Sequence, residues 1–192
     1  MTGEIEGTIN ESILVKEKLK EYQDVIKKIG NMISDCINRG GKVFIFGNGG
    51  SAADSQHIAA ELVGKYQQKR KGLPAIALTT NSSIITAIGN DFGYEFVFER
   101  QIEAMTTSND IVIGISTSGN SLNVINGILA AKKIGAMTIG LTGQKGRRLE
   151  EVADIILKVP SDNTQRIQEC HIMIGHIICD IVETRLENRY KS

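Results

Sequence analysis

Five short apolar runs separated by helical patterns constrain this chain more than any other feature. Lys42–Phe46, Ala75–Leu78, Ile111–Ile115, Met137–Leu141 and Ile155–Val159 are short β-branched or apolar runs. Helical periodicity lies between them, near Ala52–Lys65, Tyr94–Met105, Leu122–Ile134 and Arg147–Ala153, and a last long helix runs from about Thr164 to Leu186. Strands too apolar to have a wet face, alternating with helices, predict βαβ crossovers and a doubly wound, five-stranded parallel sheet covered on both faces. The two prolines, Pro74 and Pro160, flank strands and break none of them.

Ahead of the first strand, Leu14, Leu19, Tyr22, Val25, Ile26, Ile29, Met32, Ile33, Cys36 and Ile37 recur mostly at three- and four-residue steps until Gly40-Gly41. This predicts a helical extension over residues 1–40, packed outside the sheet core against the domain or a partner subunit. No linker, repeat or low-complexity stretch divides the 192 residues, so one domain over 1–192 is expected.

Charge narrows the ligand. Lys+Arg and Asp+Glu both number 22, and a neutral chain has no global field with which to hold nucleic acid. A small phosphate is still allowed, because a few backbone amides bind one without net charge. Cys36, Cys170 and Cys179 have no C-x-x-C spacing and sit in apolar surroundings, as reduced thiols of a cytoplasmic protein do. No secretory leader and no membrane span is expected.

In a doubly wound sheet, ligands bind beyond the carboxyl ends of the strands where the strand order reverses. The turn after the first strand is Gly47-Asn48-Gly49-Gly50-Ser51, where glycines let the backbone approach a ligand and Ser51 is placed to cap the following helix. It matches neither dinucleotide nor P-loop spacing, so no nucleotide cofactor is expected. The turn after the third strand, Ser116-Thr117-Ser118-Gly119-Asn120-Ser121, offers hydroxyls and amides that make a neutral phosphate cradle, or a Ser-rich cap. His57 and Glu61, four apart on a helix, suit a metal pair, an acid–base pair or an ordinary surface contact. Gln168 and His176 lie on the last helix; His171 reads as a packing or surface histidine, and Asn90-Asp91 as a polar loop after a helical turn, or a capping turn.

Several of these segments, in this order, resemble one family. Gly47-Asn48-Gly49-Gly50-Ser51-Ala52-Ala53-Asp54-Ser55-Gln56-His57, Ala60-Glu61-Leu62, Leu78-Thr79-Thr80, Ala87-Ile88-Gly89-Asn90-Asp91, Gly114-Ile115-Ser116-Thr117-Ser118-Gly119-Asn120-Ser121 and Arg166-Ile167-Gln168-Glu169 are similar to the phosphoheptose isomerases, proteins of the sugar isomerase (SIS) domain, whose fold is flavodoxin-like. The resemblance implies conversion of D-sedoheptulose 7-phosphate to D-glycero-D-manno-heptose 7-phosphate, the first step toward nucleotide-activated heptoses for surface glycans. It implies that Ser116, Thr117, Ser118 and Ser121 hold the phosphate. Asn48, Gly49, Gly50, Ser51, Asn90, Asp91 and Gln168 would line the sugar pocket, and Glu61 and His176 would be the acid–base pair. His57, Glu61, Gln168 and His176 would be zinc ligands, and the assembly a homotetramer with sites at subunit interfaces.

On an ideal helix, Gln168 and His176 are about 12 Å apart in rise and roughly 80° apart in rotation. Sharing one ion therefore requires an irregular helix or residues from different subunits. The chain also departs from many members at Gly143-Gln144-Lys145-Gly146-Arg147-Arg148, which is more basic, and at Gln165, where an acid is common; both changes are expected at the pocket rim or the interface. The rival reading is a non-catalytic SIS protein that binds a replication initiator. Such relatives lack the paired Glu and His, which are present here as Glu61 and His176. Sugar-phosphate-sensing regulatory domains come attached to a further module for which this chain has no room.

Overall fold

The central strands of the sheet are buried on both faces, so that alternate side chains serve two different cores. In a computed structural model that describes residues 2–190, β1 (Val43–Gly47), β2 (Ala75–Ala77), β3 (Ile111–Ser116), β4 (Met137–Thr142) and β5 (Ile155–Lys158) make one parallel sheet in the order β2-β1-β3-β4-β5. Val43 and Ile45 of β1 point into one core with Ile111, Ile113 and Ile115 of β3. Phe44 and Phe46 point into the other with Val112. The register pairs Val43 with Ile111 and Gly47 with Ile115, so the turns after β1 and β3 emerge side by side. Strand order reverses between these two strands, which is the switch point that the sequence singles out.

Eight α-helices are described: α1 (Thr2–Lys18), α2 (Gln23–Asn38), α3 (Gly50–Val63), α4 (Ser82–Asp91), α5 (Glu99–Met105), α6 (Leu122–Ile134), α7 (Arg147–Val152) and α8 (Thr164–Tyr190). The first face of the sheet carries α2, α3 and α8, and the second carries α5, α6 and α7. No described helix is long and apolar enough to cross a membrane.

Four expectations are corrected. A 3₁₀ turn at Leu19–Tyr22 divides the N-terminal helix in two. Its second half does not lie outside the core, since Ile29, Ile33 and Cys36 are fully buried there. A helix not expected from the sequence, α4, is capped by Asn81, whose side chain accepts from the Ile84 amide. Asn90 and Asp91 are therefore its last turn and not a loop. The stretch Tyr94–Met105 is a 3₁₀ turn at Tyr94–Phe96 followed by α5.

Along α1, Arg166 Nη1 donates to the Thr8 carbonyl (2.7 Å) and Ser12 Oγ donates to Glu169 Oε2 (2.6 Å), which fastens α1 to the start of α8. Ile5, Ile9 and Ile13, one helical turn apart, are left half or more exposed.

Candidate active site

The turn after β1 is built by glycines. Gly49 has φ +56° and caps α3, and its carbonyl accepts from the Ala52 and Ala53 amides. Ser51, expected as the cap, is instead buried in the first turn of α3, where its carbonyl accepts from Ser55 Oγ. A left-handed glycine lets the chain enter the helix before the serine is reached. A Cβ on Gly47 would strike the Ile115 carbonyl and Ser51, so this turn lies directly against the end of β3.

In the turn after β3 the hydroxyls converge. Ser116 Oγ is 2.9 Å from Ser121 Oγ and 3.4 Å from Ser118 Oγ, and Ser118 Oγ accepts from the Asn120 amide. Gly119, at φ +67°, is where the chain doubles back; its carbonyl accepts from the Leu149 amide. The Ser121 side chain makes no capping bond to α6, so the first-turn amides of that helix lie beside the three hydroxyls, with the Val124 amide donating to Asn123 Oδ1. Thr117 is half-buried at the outer wall of the turn.

The two turns are tied by an amide pair. Asn48 Nδ2 donates to Asn123 Oδ1 (2.8 Å), Asn123 Nδ2 donates to Asn48 Oδ1 (2.9 Å), and Tyr94 Oη donates to the same Asn48 oxygen (3.1 Å). Asn48, expected to line the sugar pocket, thus spends most of its side chain holding the walls together. Asn123 and Tyr94 were not singled out by sequence reasoning. Asn123 does lie two residues after the serine turn, but its polar side chain gave no sign of pointing inward.

Down α3, His57 and Glu61 meet His176 of α8. His57 Nε2 lies 3.2 Å from Glu61 Oε1 and 3.2 Å from His176 Nε2. One ligand atom from each residue falls within 4.8 Å of the others. The rings of His57 and His176 meet edge to face, and Tyr66 covers the other side of His176 with its ring centre 5.8 Å away. Two donors at about 2.0–2.1 Å from a tetrahedral ion stand roughly 3.3 Å apart, and imidazole and carboxylate are its ordinary ligands. Both short separations have that length, so the three residues fit a metal such as zinc.

The other expected residues stand apart from the trio. Gln168 lays its amide against Gly50, seven residues before His57, and α8 is continuous through the segment. The unbroken helix leaves residues from different subunits as the way of bringing Gln168 to an ion at His176. Asn90 and Asp91 are exposed and bonded to each other (2.7 Å). Asp54, one turn before His57, has a buried Oδ2 with no partner, and burial pushes its carboxyl up to about 6 against the pull of His57. His171 is a packing histidine, fully buried with Nε2 3.3 Å from the Thr142 carbonyl.

The SIS domain family model matches residues 9–143. A phosphoheptose isomerase of Sulfurimonas denitrificans is 52% identical over 185 residues, spanning 95% of this chain and 95% of its own. One of Aquifex aeolicus is 50% identical over 184 residues, 95% of this chain and 96% of its own. The chain belongs to the phosphoheptose isomerases of the SIS domain family. Among solved structures, the phosphoheptose isomerase of Francisella tularensis superposes with a TM-score of 0.92 at 35% identity, over 95% of this chain and 98% of that one. More distant SIS folds include a Vibrio vulnificus NanR complexed with ManNAc-6P, at 16% identity and a TM-score of 0.63, a likeness of fold alone.

The basic segment after β4 lies beside the seryl turn. Lys145, Arg147, Asp162 and Thr164 line a cleft of about 190 Å³ beside Thr117 and Ser118, with Lys145 paired to Asp162 at 3.3 Å.

Proposed function

We infer that this chain is an aldose–ketose isomerase that converts D-sedoheptulose 7-phosphate to D-glycero-D-manno-heptose 7-phosphate, with Glu61 and His176 moving the protons. The observation that supports it most is the meeting of Glu61, His57 and His176 on the two helices that run back from the phosphate cradle. The seryl turn 116–121 takes the phosphate, with Ser116, Thr117, Ser118 and Ser121 and the amides of α6. Ser51, Gly49 and Gly50 form the adjoining wall, and Gln168, held at Gly50, faces the sugar.

Ketose to aldose conversion removes one proton from C1 and returns one to C2 through an enediol. Glu61 accepts the C1 proton while His176 protonates O2. His176 then takes the O1 proton as the carbonyl forms at C1, and Glu61 delivers its proton to C2, so no net proton is consumed. Glu61 bonds His57 through Oε1, which leaves Oε2 for the carbon proton. His57, Glu61 and His176 are the residues that would hold a zinc ion, which would occupy His176 Nε2 and act on the substrate oxygens in place of its proton, with Gln168 assigned to the sugar because its amide lies at Gly50. Bound there, the ion supplies a Lewis acid for the substrate oxygens.

The assembly we propose is a homotetramer whose subunits close each other's sites. His57 is 47% and Glu61 24% exposed, whereas enediol chemistry requires water to be kept out. The exposed Ile5, Ile9 and Ile13 stripe offers an apolar surface for such packing. Free, buried Cys36, Cys170 and Cys179 fit a reducing cytoplasm.

Incubation of the purified protein with sedoheptulose 7-phosphate, with and without chelator, tests the reaction. Aldoheptose product is expected, and its absence under both conditions would favour the non-catalytic binding protein. Glu61→Gln is expected to abolish turnover while phosphate binding persists; full activity in that variant would remove Glu61 from the mechanism.

A further inference from the structure

Seven residues beyond His176 on α8, a second carboxylate is buried away from the reacting groups. Glu183 is 1% exposed and accepts from the amides of Tyr66 (3.2 Å), Gln67 (2.7 Å) and Gln68 (2.8 Å) and from Arg70 Nε (2.8 Å). The remaining arms of Arg70 donate to the carbonyls of Glu61 (2.9 Å), Leu62 (2.9 Å) and Lys71 (3.1 Å). Those first two carbonyls belong to the last turn of α3, where backbone acceptors have no partner within the helix. The guanidinium fork thus spans from the backbone of Glu61 to a carboxylate on α8.

The same network reaches the other half of the pair. Tyr66, the first amide held by Glu183, places its ring against His176. One connected set of bonds therefore fixes the backbone under Glu61 and the ring behind His176. A buried ion pair is a poor source of stability compared with apolar packing, because desolvation consumes most of its attraction. Its directional bonds do fix a geometry, and a planar five-donor fork fixes it more tightly than an ammonium would.

We propose that Arg70 and Glu183 are positioning residues that lock the C-terminal turn of α3 to α8 and so set the approach of Glu61 to His176 across the substrate. Neither touches substrate, and both act through the backbone. This rests on the reading that Glu61 and His176 move the protons.

The test compares Glu183→Gln and Arg70→Lys with Glu61→Gln, each as the full chain. Steady-state kcat and KM for sedoheptulose 7-phosphate are measured on protein shown by circular dichroism and thermal melting to be folded. A misplacement of about 1 Å is worth up to roughly 10²-fold in rate. We expect kcat to fall by about tenfold to a hundredfold in both variants while KM stays within about twofold, because the phosphate cradle is untouched. Should Glu183→Gln fail to fold, Arg70→Lys, which keeps the charge and loses the fork, gives the same split. A lowered melting temperature with wild-type kcat would overturn the proposal and leave the pair a loop anchor. An active Glu61→Gln would instead overturn the underlying assignment of the base.

Discussion

His57 Nε2 and His176 Nε2, from helices α3 and α8, face each other at 3.2 Å. Two imidazole nitrogens at that separation share one proton or two ligand bonds to one cation, and Glu61 Oε1 at 3.2 Å from His57 completes a third donor. A ligand that binds only the folded state stabilises it by about 2.7 kcal/mol at a hundredfold excess over its Kd. Zinc added to chelator-stripped protein is therefore expected to raise the melting temperature by several degrees. His57→Ala is expected to remove that rise. A zinc-dependent shift that survives the substitution would place the ion elsewhere.

The meeting of these histidines depends on how closely α3 and α8 approach. Gly175, next to His176, has no room for a side chain: a Cβ there would lie 2.6 Å from Ile58 Cγ1, next to His57. Ile58 is buried and cannot swing away. Gly175→Ala gains about 1 kcal/mol in helix propensity but forces overpacking that costs about 1–3 kcal/mol. Its expected signature is a small net change in urea stability beside a loss of kcat of at least about tenfold, since the helices must separate at the reacting pair. Unchanged kcat would show that the helix spacing is not critical.

Much of this architecture was readable because the chain's local signals agree with its packing. Strand positions followed from runs buried on both faces, and α6 was read end to end because it starts after Ser121 and stops at Gly135, a left-handed C-cap. By contrast, α4 carries the β-branched run Ile84-Ile85-Thr86, a composition that weakens a helical reading, and only packs Ile85 and Ile88 partly against the core. The break at Leu19–Tyr22 contains neither Gly nor Pro. His57 and Glu61 could be paired by spacing along one helix. Their contact with His176, 119 positions from His57, depends on the register of α3 against α8, which Gly175 and Gly50 set by close approach. The Arg70–Glu183 bond spans 113 positions and has no local signal at all.

With the phosphate in the seryl turn as proposed, helix α3 would measure the substrate: Ser51 would lie at the phosphate end, and His57 is six residues further, about 9 Å of rise. A seven-carbon sugar with phosphate at one end and the reacting carbons at the other has the reach to span that distance. Pentulose 5-phosphates, two carbons shorter, are expected to occupy the cradle and leave C1 short of Glu61. They should inhibit competitively while showing kcat/KM lower by about 10²-fold or more. Comparable turnover of ribulose 5-phosphate would refute this use of the helix.

Behind the seryl turn, His171 is expected to make the fold sensitive to acid. Its ring is fully buried, Nδ1 has no partner, and burial pushes its pKa down to about 4 from an ordinary 6.5, with the Thr142 carbonyl opposing the shift only partly. The folded pKa lies below the unfolded one, so the unfolded chain binds the proton first. Stability is then full above about pH 6.5 and declines as pH falls toward about 4, by something on the order of 3 kcal/mol from this one group. His171→Gln keeps a donor for the Thr142 carbonyl and has nothing to titrate. Urea midpoints at pH 7, 5.5 and 4.5 should therefore fall less steeply in the variant than in the wild type. Parallel declines would assign the acid sensitivity to the carboxylates whose hydrogen bonds hold their pKa values down, Asp110, Asp154 and Glu183.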